Sequence, residues 1–508
     1  MYAARQAAIF SRKRSTMKAK NLVFIISDEH QACALSCAGH PIVRTPNIDR
    51  LAACGTRFTA AYTPCPICVP ARASLATGRY VHDIRYWDNA MGYDGRVPGW
   101  GARLQAANVR IESIGKLHYG NGHDPTGFDR QHHPMHLAEG IGQVWGSVRD
   151  PIPGPRDDII RFGEVGAGYS SYNSYDETIR DAAIAWLRRA SRDERPWMLF
   201  IGFVAPHFPL IAPQRFIDLY PPAAMPLPKL TPRNGYVRHP WLDAQESFMP
   251  TDVEFGVDDA KRHRAISAYY ALCTMMDGHI GAICAVLEDT GAAETTSVIY
   301  TSDHGESLGE RAHWGKSNLY GECTQVPLVM AGPDVAPGST CDTPVNLIDL
   351  APTFLSAFGL ADTSLPGRSL FEIAHEPTDP ARASFSEYHA VGAPSGAFML
   401  LKGRWKYHEY IGYPPELFDL ASDPDERINK ATDPSCSNVV ARLRSELRQI
   451  VDPVIADRQA KADQRALVER FGGREAAFWL GTRGATPAPV DTLNDGSPRS
   501  PNLAATEE

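Results

Sequence analysis

Short, unbroken apolar runs recur along this chain, and each stops abruptly at polar or charged residues. Asn21-Leu-Val-Phe-Ile-Ile-Ser27 ends at Asp28-Glu29-His30. Trp197-Met-Leu-Phe-Ile-Gly-Phe-Val-Ala205 ends at Pro206-His207-Phe208-Pro209, and Ser297-Val-Ile-Tyr-Thr301 ends at Ser302-Asp303-His304-Gly305-Glu306. Runs this short, without polar alternation, are typical of parallel strands covered on both faces. Val326-Pro-Leu-Val-Met330 reads as a further strand. Helical patterns lie between them. Thr45-Pro46-Asn47 opens a helix expected to run through Phe58, with Thr45 as N-cap, Pro46 at the first position and Gly55 near its end. Residues 263–287 place Ile266, Tyr269, Tyr270, Met276, Ile280 and Ile283 at helical spacing, and residues 346–358 form another helix. This alternation predicts an α/β fold over residues 21–370: a large doubly wound sheet, mixed or parallel, with helices on both faces. In open sheets of this kind ligands gather at the carboxyl ends of the strands. The polar residues that stop each run are therefore the first candidates for chemistry.

After Pro366-Gly-Arg-Ser369 the texture changes. Ala397-Phe-Met-Leu-Leu401 and Trp405-Lys-Tyr-His-Glu-Tyr410 read as a hairpin turning at Lys402-Gly403, followed by a strand at 416–420 and a helix at 436–450. Residues 371–455 are thus expected to form a smaller C-terminal α+β domain with an antiparallel sheet. The tail, 456–508, carries a helix at 458–471 and then an irregular Pro/Gly/Thr-rich end, which is expected to wrap a neighbouring subunit in a homo-oligomer. Residues 1–20 read as a disordered start, basic at Arg12, Lys13, Arg14, Lys18 and Lys20, with Met17 as an alternative initiator.

Composition narrows the function. The chain has 508 residues, 43% hydrophobic and 22% charged, as a globular protein does. A net charge of -8 supplies no broad basic field, which argues against nucleic acid as a partner. Runs such as residues 22–26 and 197–205 fall far short of the roughly 20 residues that span a bilayer, so no membrane partner is expected. Ten cysteines with no apolar leader ahead of them read as reduced thiols in the cytoplasm. Cys65 and Cys68 form a CxxC, but the intervening Pro66 and the following Pro70-x-Arg72 set it apart from a redox pair.

The chemistry-bearing residues fall in separate segments. Asp28 and Glu29, Asp303 and His304, and His207 stand at three strand ends, where carboxylates suit a hard divalent cation. In Cys68-Val-Pro-Ala-Arg72 the cysteine stands just before a helix expected to start at Pro70. Gly115-Lys116-Leu117-His118 and Trp314-Gly315-Lys316 add two lysines and a histidine. Lysine is a compact donor to an anionic oxygen and arginine a planar one. Cations, histidines and a metal around one nucleophile are what transfer of a charged tetrahedral group requires. Trp87, Asn89, Tyr93, Tyr388 and His389 are candidates for the rim, and Glu387 or Tyr388 for part of a cage around a quaternary ammonium.

Taken together, these segments resemble the type I sulfatases of the alkaline phosphatase superfamily. The resemblance rests on Thr45-Pro-Asn-Ile-Asp-Arg50, Cys68-Val-Pro-Ala-Arg72, Gly115-Lys-Leu-His118, Pro206-His207, Ser302-Asp-His-Gly305 and Gly315-Lys316, in the family's order. Ser302–Arg311 and Ser386-Glu-Tyr-His389 look most like the choline-sulfatase branch. The resemblance implies that a maturation enzyme converts Cys68 to formylglycine, whose hydrate is the nucleophile toward a sulfate ester. It implies metal ligation by Asp28, Glu29, Asp303, His304 and position 68, with calcium expected first and manganese or magnesium as alternatives. Glu29 departs from the family, which more often has Asp, Asn or Gln there. Arg72 would hold the hydrate, Lys116 and Lys316 the sulfate oxygens, and His207 with Lys316 would protonate the leaving alcohol. His118 would deprotonate the second hydroxyl and so expel sulfate. A phosphonate monoester or phosphodiester hydrolase shares the signature, although its members tend to carry neutral hydroxyl residues where Lys116 and His118 stand. A binding protein with an unmodified Cys68 is the non-enzymatic alternative.

Overall fold

The structure is a computed structural model that describes residues 20–156 and 158–489. Among these, eight strands build one large sheet: β1 (Asn21–Asp28), β2 (Gly55–Phe58), β3 (Arg110–Lys116), β4 (Arg130–Met135), β5 (Trp197–Pro206), β6 (Thr296–Ser302), β7 (Leu328–Ala331) and β8 (Ser339–Cys341). Their spatial order is β8-β2-β7-β6-β1-β5-β3-β4. The central strand β1 is parallel to β5 and β6, and β3 is parallel to β4 and β5. Only β7 among them runs against its neighbours, so the sheet is mixed.

The principal helices are α1 (Pro46–Ala53), α2 (Cys68–Thr77), α3 (Ser171–Ala190), α4 (Asp259–Asp289) and α5 (Leu350–Ala357). Strand periodicity sends alternate residues of β1 to opposite cores. Val23 and Ile25 join Ile179 and Trp186 of α3 and Ile266, Met276 and Ile280 of α4. Leu22, Phe24 and Ile26 join Leu75 of α2 and Phe354 of α5. Burying such a side chain stabilises the fold by about 1.5–3 kcal/mol. With both faces covered, β1 has no freedom to slide, and Asp28 is delivered to a fixed point. By length and composition α4 could cross a membrane, but 78% of its apolar stretch is buried inside this fold, where it is the central core helix.

Three local expectations need correction. The helix at Pro46 ends at Ala53, and β2 begins at Gly55 where the helix was expected to continue. A Cβ on Gly55 would lie 2.1 Å from the Met330 carbonyl oxygen, so this glycine serves close approach of β7 rather than a helix end. Thr45 occupies the N-cap position without capping through its side chain. Its Oγ1 instead contacts the Ser36 hydroxyl at 2.9 Å and Asp49 at 3.3 Å. The helix after residue 45 is thus tied to the preceding loop. Finally, α2 starts at Cys68 itself, with Pro70 two residues inside its first turn.

A four-stranded antiparallel sheet follows, β9 (Ala383–Tyr388), β10 (Ala397–Lys402), β11 (Trp405–Tyr410) and β12 (Glu416–Asp419). The hairpin between β10 and β11 turns at Gly403-Arg404, one residue later than the expected Lys402-Gly403, because Lys402 still pairs with Trp405. Helix α6 (Ser437–Ile450) covers it with Leu443 and Leu447. Helix α7 (Pro453–Arg470) then carries the tail back over the same chain, where Gln464 donates to Asp88 and to the His389 carbonyl, both at 2.8 Å. The first 19 residues and residues 490–508, where the disordered start and the end of the tail were expected, lie outside the described residues.

Candidate active site

Four strand ends and one helix start meet at the carboxyl edge of the large sheet. Asp28 closes β1, Lys116 closes β3, His207 follows β5, and Asp303 and His304 follow β6. Cys68 is the first residue of α2, where the helix dipole favours negative charge. Asn89 accepts the Val69 amide at 3.1 Å, satisfying a donor that the helix leaves open. Gly115 permits the sharp turn out of β3. It sits at φ +90°, and a Cβ there would lie 2.3 Å from the Gly202 carbonyl oxygen.

The floor is a dense ionic lattice. Arg72 Nε donates to Asp303 at 2.7 Å and Nη2 to Asp28 at 3.3 Å, while Nη1 donates to the Lys116 carbonyl at 3.0 Å. Lys116 Nζ lies 2.7 Å from Asp28, and Lys316 Nζ 3.2 Å from Glu29. Cys68 Sγ lies 3.3 Å from His304 Nε2 and 3.5 Å from Asp28. All of these side chains are buried, and Lys316 is the most accessible at 11%. Burial alone would raise the Asp28 carboxyl, but Lys116, His207, Lys316 and Arg72 outweigh it and hold it well below the usual range. Glu29 goes the other way. Burial raises it to about 8 against the opposing charge of Lys316, with Glu306 adding to the rise.

The donor set fits a divalent cation. Ligand atoms of Asp28, Cys68, Asp303 and His304 lie within 4.8 Å of one another, as do those of Asp28, Glu29 and His207. Glu29 Oε1 is buried and unpartnered by the geometric criteria for a hydrogen bond, beside the acid Glu306. The carboxylates are hard oxygen donors of the kind calcium, magnesium or manganese take.

Cys68 itself is a poor nucleophile as a thiol. Burial, reinforced by Asp28, pushes it up to about 12. Two histidines flank it in neutral form. His118 is held well below its ordinary value by burial and then by Lys116, and His207 by burial and then by Lys316. Nδ1 of His207 contacts the Phe208 carbonyl at 2.6 Å, which leaves Nε2 facing Glu29 at 3.4 Å. Cys68, Lys116, His118, His207 and Lys316 all line one cavity.

The structure thus brings together every residue proposed for the site: Asp28, Glu29, Cys68, Arg72, Lys116, His118, His207, Asp303, His304 and Lys316. It does not bring the expected cage. Glu387 is fully buried beneath the surface, bonded to His82 Nδ1 at 2.7 Å and His389 Nε2 at 3.0 Å. Tyr388 donates to the Val391 carbonyl, Tyr93 to the Val97 carbonyl, and Trp87 donates to Asp463. Of the rim candidates Asn89 lines the cavity; the other four do not.

Several contributors escaped the sequence reading. Asp176 accepts the amides of Val204 and Ala205, both at 2.8 Å, and so fixes the strand end before His207. Glu306 accepts the Gly315 amide, and His313, braced by Glu246, bonds the Lys316 carbonyl. The mouth is partly built by the tail. Thr482, Gly484, Ala485 and Thr486 line the cavity. Thr486 Oγ1 lies 2.8 Å from His118 Nε2, Tyr172 donates to the Thr486 carbonyl, and Trp145 Nε1 donates to the Thr482 carbonyl at 2.9 Å.

Comparison with known proteins decides the family. Residues 20–360 match the model of the sulfatase family, and residues 309–452 that of the N-sulphoglucosamine sulphohydrolase C-terminal region. The chain belongs to the sulfatase family. It is a sulfuric ester hydrolase of the alkaline phosphatase superfamily. Arylsulfatase K of Danio rerio is 30% identical over 466 residues, covering 85% of this chain and 84% of its own. Choline-sulfatase of Rhizobium meliloti (strain 1021) is 30% identical over 436 residues, covering 82% and 83%. Among solved structures, the phosphonate monoester hydrolase SpPMH of Silicibacter pomeroyi matches with a TM-score of 0.70 at 26% identity, covering 84% of this chain and 94% of its own. That agreement supports the mixed α/β sheet with its separate C-terminal antiparallel sheet.

Proposed function

We propose that this sulfatase cleaves an organic sulfate ester through a formylglycine hydrate at position 68, assisted by a divalent cation. One observation carries the reading. Three cations, Arg72, Lys116 and Lys316, and two neutral histidines surround a buried cysteine whose thiol is held near 12 and is inert as it stands. An inert thiol inside a complete oxyanion-transfer site makes sense as the precursor of a different nucleophile.

Asp28, Glu29, Asp303 and His304, with the hydrate, would hold the cation, which when bound supplies charge stabilisation for the attacking hydroxyl and the transferring sulfate oxygens. Calcium fits the three carboxylates of this set, and magnesium and manganese fit them next. Arg72, locked by two carboxylates, fixes the start of α2 and orients the hydrate. Lys116 and Lys316 grip the sulfate. His207 Nε2 and Lys316 stand by the leaving oxygen, and an anion arriving between them raises His207 toward the protonated state a general acid needs. His118, neutral through burial, is the base that takes the proton of the second hydroxyl, so that the carbon–oxygen bond to sulfate breaks and the aldehyde returns. The proposal includes conversion by a maturation enzyme and, from the ten cysteines, a cytoplasmic setting.

Phosphonate monoester hydrolysis is the second reading, favoured by the structural match to SpPMH. Lys116 and His118 at the cavity wall favour sulfate. Converted protein assayed on an aryl sulfate and a phosphonate monoester separates the two. Higher kcat/KM on the sulfate is expected, and faster phosphonate turnover would reverse the assignment.

A further inference from the structure

One cation in the cavity wall is unlike the others. Lys116, Lys316 and Arg72 each meet a carboxylate of the floor. Arg161 lines the same cavity yet has no carboxylate within ion-pair distance among the described residues. Its guanidinium makes a single side-chain contact, Nη2 to the Met249 sulfur at 3.1 Å, a weak acceptor. Nε and Nη1 have no acceptor among the described residues.

Fully buried arginines elsewhere in the fold each have a strong acceptor. Arg149 reaches Gln464, the Ala393 carbonyl and Asp457, and Arg156 is forked onto Asp158. Arg311 is held by Glu322 and two carbonyls. Of the acids whose charge reaches Arg161, Glu254 and Glu246 are already engaged. Glu254 Oε2 accepts the backbone amides of Arg161 and Phe162 at 2.9 and 2.7 Å, which pins the backbone and leaves the side chain free to point elsewhere. Glu246 is taken by His313 and the Thr251 amide. Burial accordingly lowers the Arg161 guanidinium from its ordinary value. Arg161 is only half-buried, so its fork faces the cavity with donors that no carboxylate occupies, and a ligand anion would find them open.

The sulfate under attack cannot be that anion, because it is claimed by Lys116, Lys316, His118 and His207 around Cys68. We propose that Arg161 is a specificity residue that binds a second anionic substituent, a carboxylate or a further sulfate, carried by the same sulfate ester. Its planar fork matches two oxygens of either group. This rests on the sulfate-ester reading above and adds the substrate class: polyanionic esters rather than neutral or cationic ones. The wall offers the rest of such a substrate apolar surface at Trp145, Met249 and Val391.

The test uses full-length protein whose conversion at Cys68 has been verified, with three matched aryl sulfates: 4-sulfooxyphenylacetate, its neutral amide, and 1,4-phenylene disulfate. Wild-type kcat/KM should favour the carboxylate, the disulfate or both over the amide by at least about tenfold. The preferred anion identifies the substituent. Arg161→Gln should bring that ratio to within about threefold, and Arg161→Lys should leave an intermediate value, since an ammonium keeps the charge without the fork. The wild-type ratio needs no variant to fold. Equal turnover of the amide and both anions, or a ratio unchanged in R161Q, overturns the role of Arg161 and leaves the hydrolase intact. Absence of turnover on all three would overturn the sulfate-ester reading together with it.

Discussion

At the floor of the cavity Asp28 meets Arg72, Lys116 and Lys316, and Asp303 meets Arg72, all fully or nearly fully buried. At the mouth, Thr486 touches His118 through one hydrogen bond and Arg161 touches Met249 through one sulfur contact. The floor is delivered by strands that a packed core clamps on both faces; the mouth is delivered by loops and the tail. A buried lattice in which each charge has several partners loses several contacts when one member goes, and it leaves the remainder desolvated. A single contact at a rim can be lost alone. The floor should therefore govern whether chemistry happens, and the mouth which molecule it happens to.

The largest effect should come from Cys68→Ala. It removes the proposed nucleophile, so kcat/KM should fall by at least about 10⁴-fold, while thermal unfolding should show the fold retained. Asp303→Asn comes next. It weakens the shortest Arg72 contact and would take a hard ligand from the proposed cation, so stability should fall by about 3–5 kcal/mol. Activity should drop and become dependent on added calcium, measurable by metal titration after chelation. A loss no larger than that of a mouth variant would erase the distinction between floor and mouth.

Ending the chain at Phe478 tests the mouth. Removing the strap over Thr482–Thr486 should raise KM by about tenfold and change kcat less, because it takes away contacts to the whole substrate rather than to the transition state. The smallest effect belongs to Thr486→Val, which deletes one hydrogen bond to His118 and should cost about two- to tenfold in kcat/KM, with Thr486→Ser restoring most of it.

The pH profile sharpens the same comparison. Burial and the charge of Lys116 hold His118 well below 6.5, so it is neutral at pH 7 and takes a proton only in more acid solution. The acid limb of kcat/KM, where the base is lost to protonation, should lie below pH 6.5. Lys116→Met removes a charge that disfavours protonation, so the limb should move to higher pH along with the lower rate. An unshifted limb would mean that another group sets it.

The floor was legible because its physics is local. A buried strand that stops at Asp28-Glu29 or Asp303-His304 announces its own polar end, and the Cys68–Arg72 signature is continuous in sequence. The sheet was legible for the same reason, through unbroken runs such as 22–26. Four-residue β2 was not, since Gly-Thr-Arg-Phe is too short for a period and Gly55 reads equally as a helix end. The mouth was illegible because its pairs join distant segments: Thr486 and His118 are 368 residues apart. Glu387 shows the opposite error. An acid beside aromatic residues suggested a cationic cage, but His82 and His389 consume it in the interior. Only the three-dimensional neighbours of Arg161 reveal that, among the described residues, no carboxylate pairs with it.

The central claim is that Cys68 is the precursor of the nucleophile. Peptide mass spectrometry across Cys68, on protein co-produced with a formylglycine-generating enzyme and fractionated by sulfatase activity, tests it directly. The account predicts the aldehyde at position 68 in proportion to specific activity. A wholly unmodified thiol in protein that hydrolyses sulfate esters would contradict it.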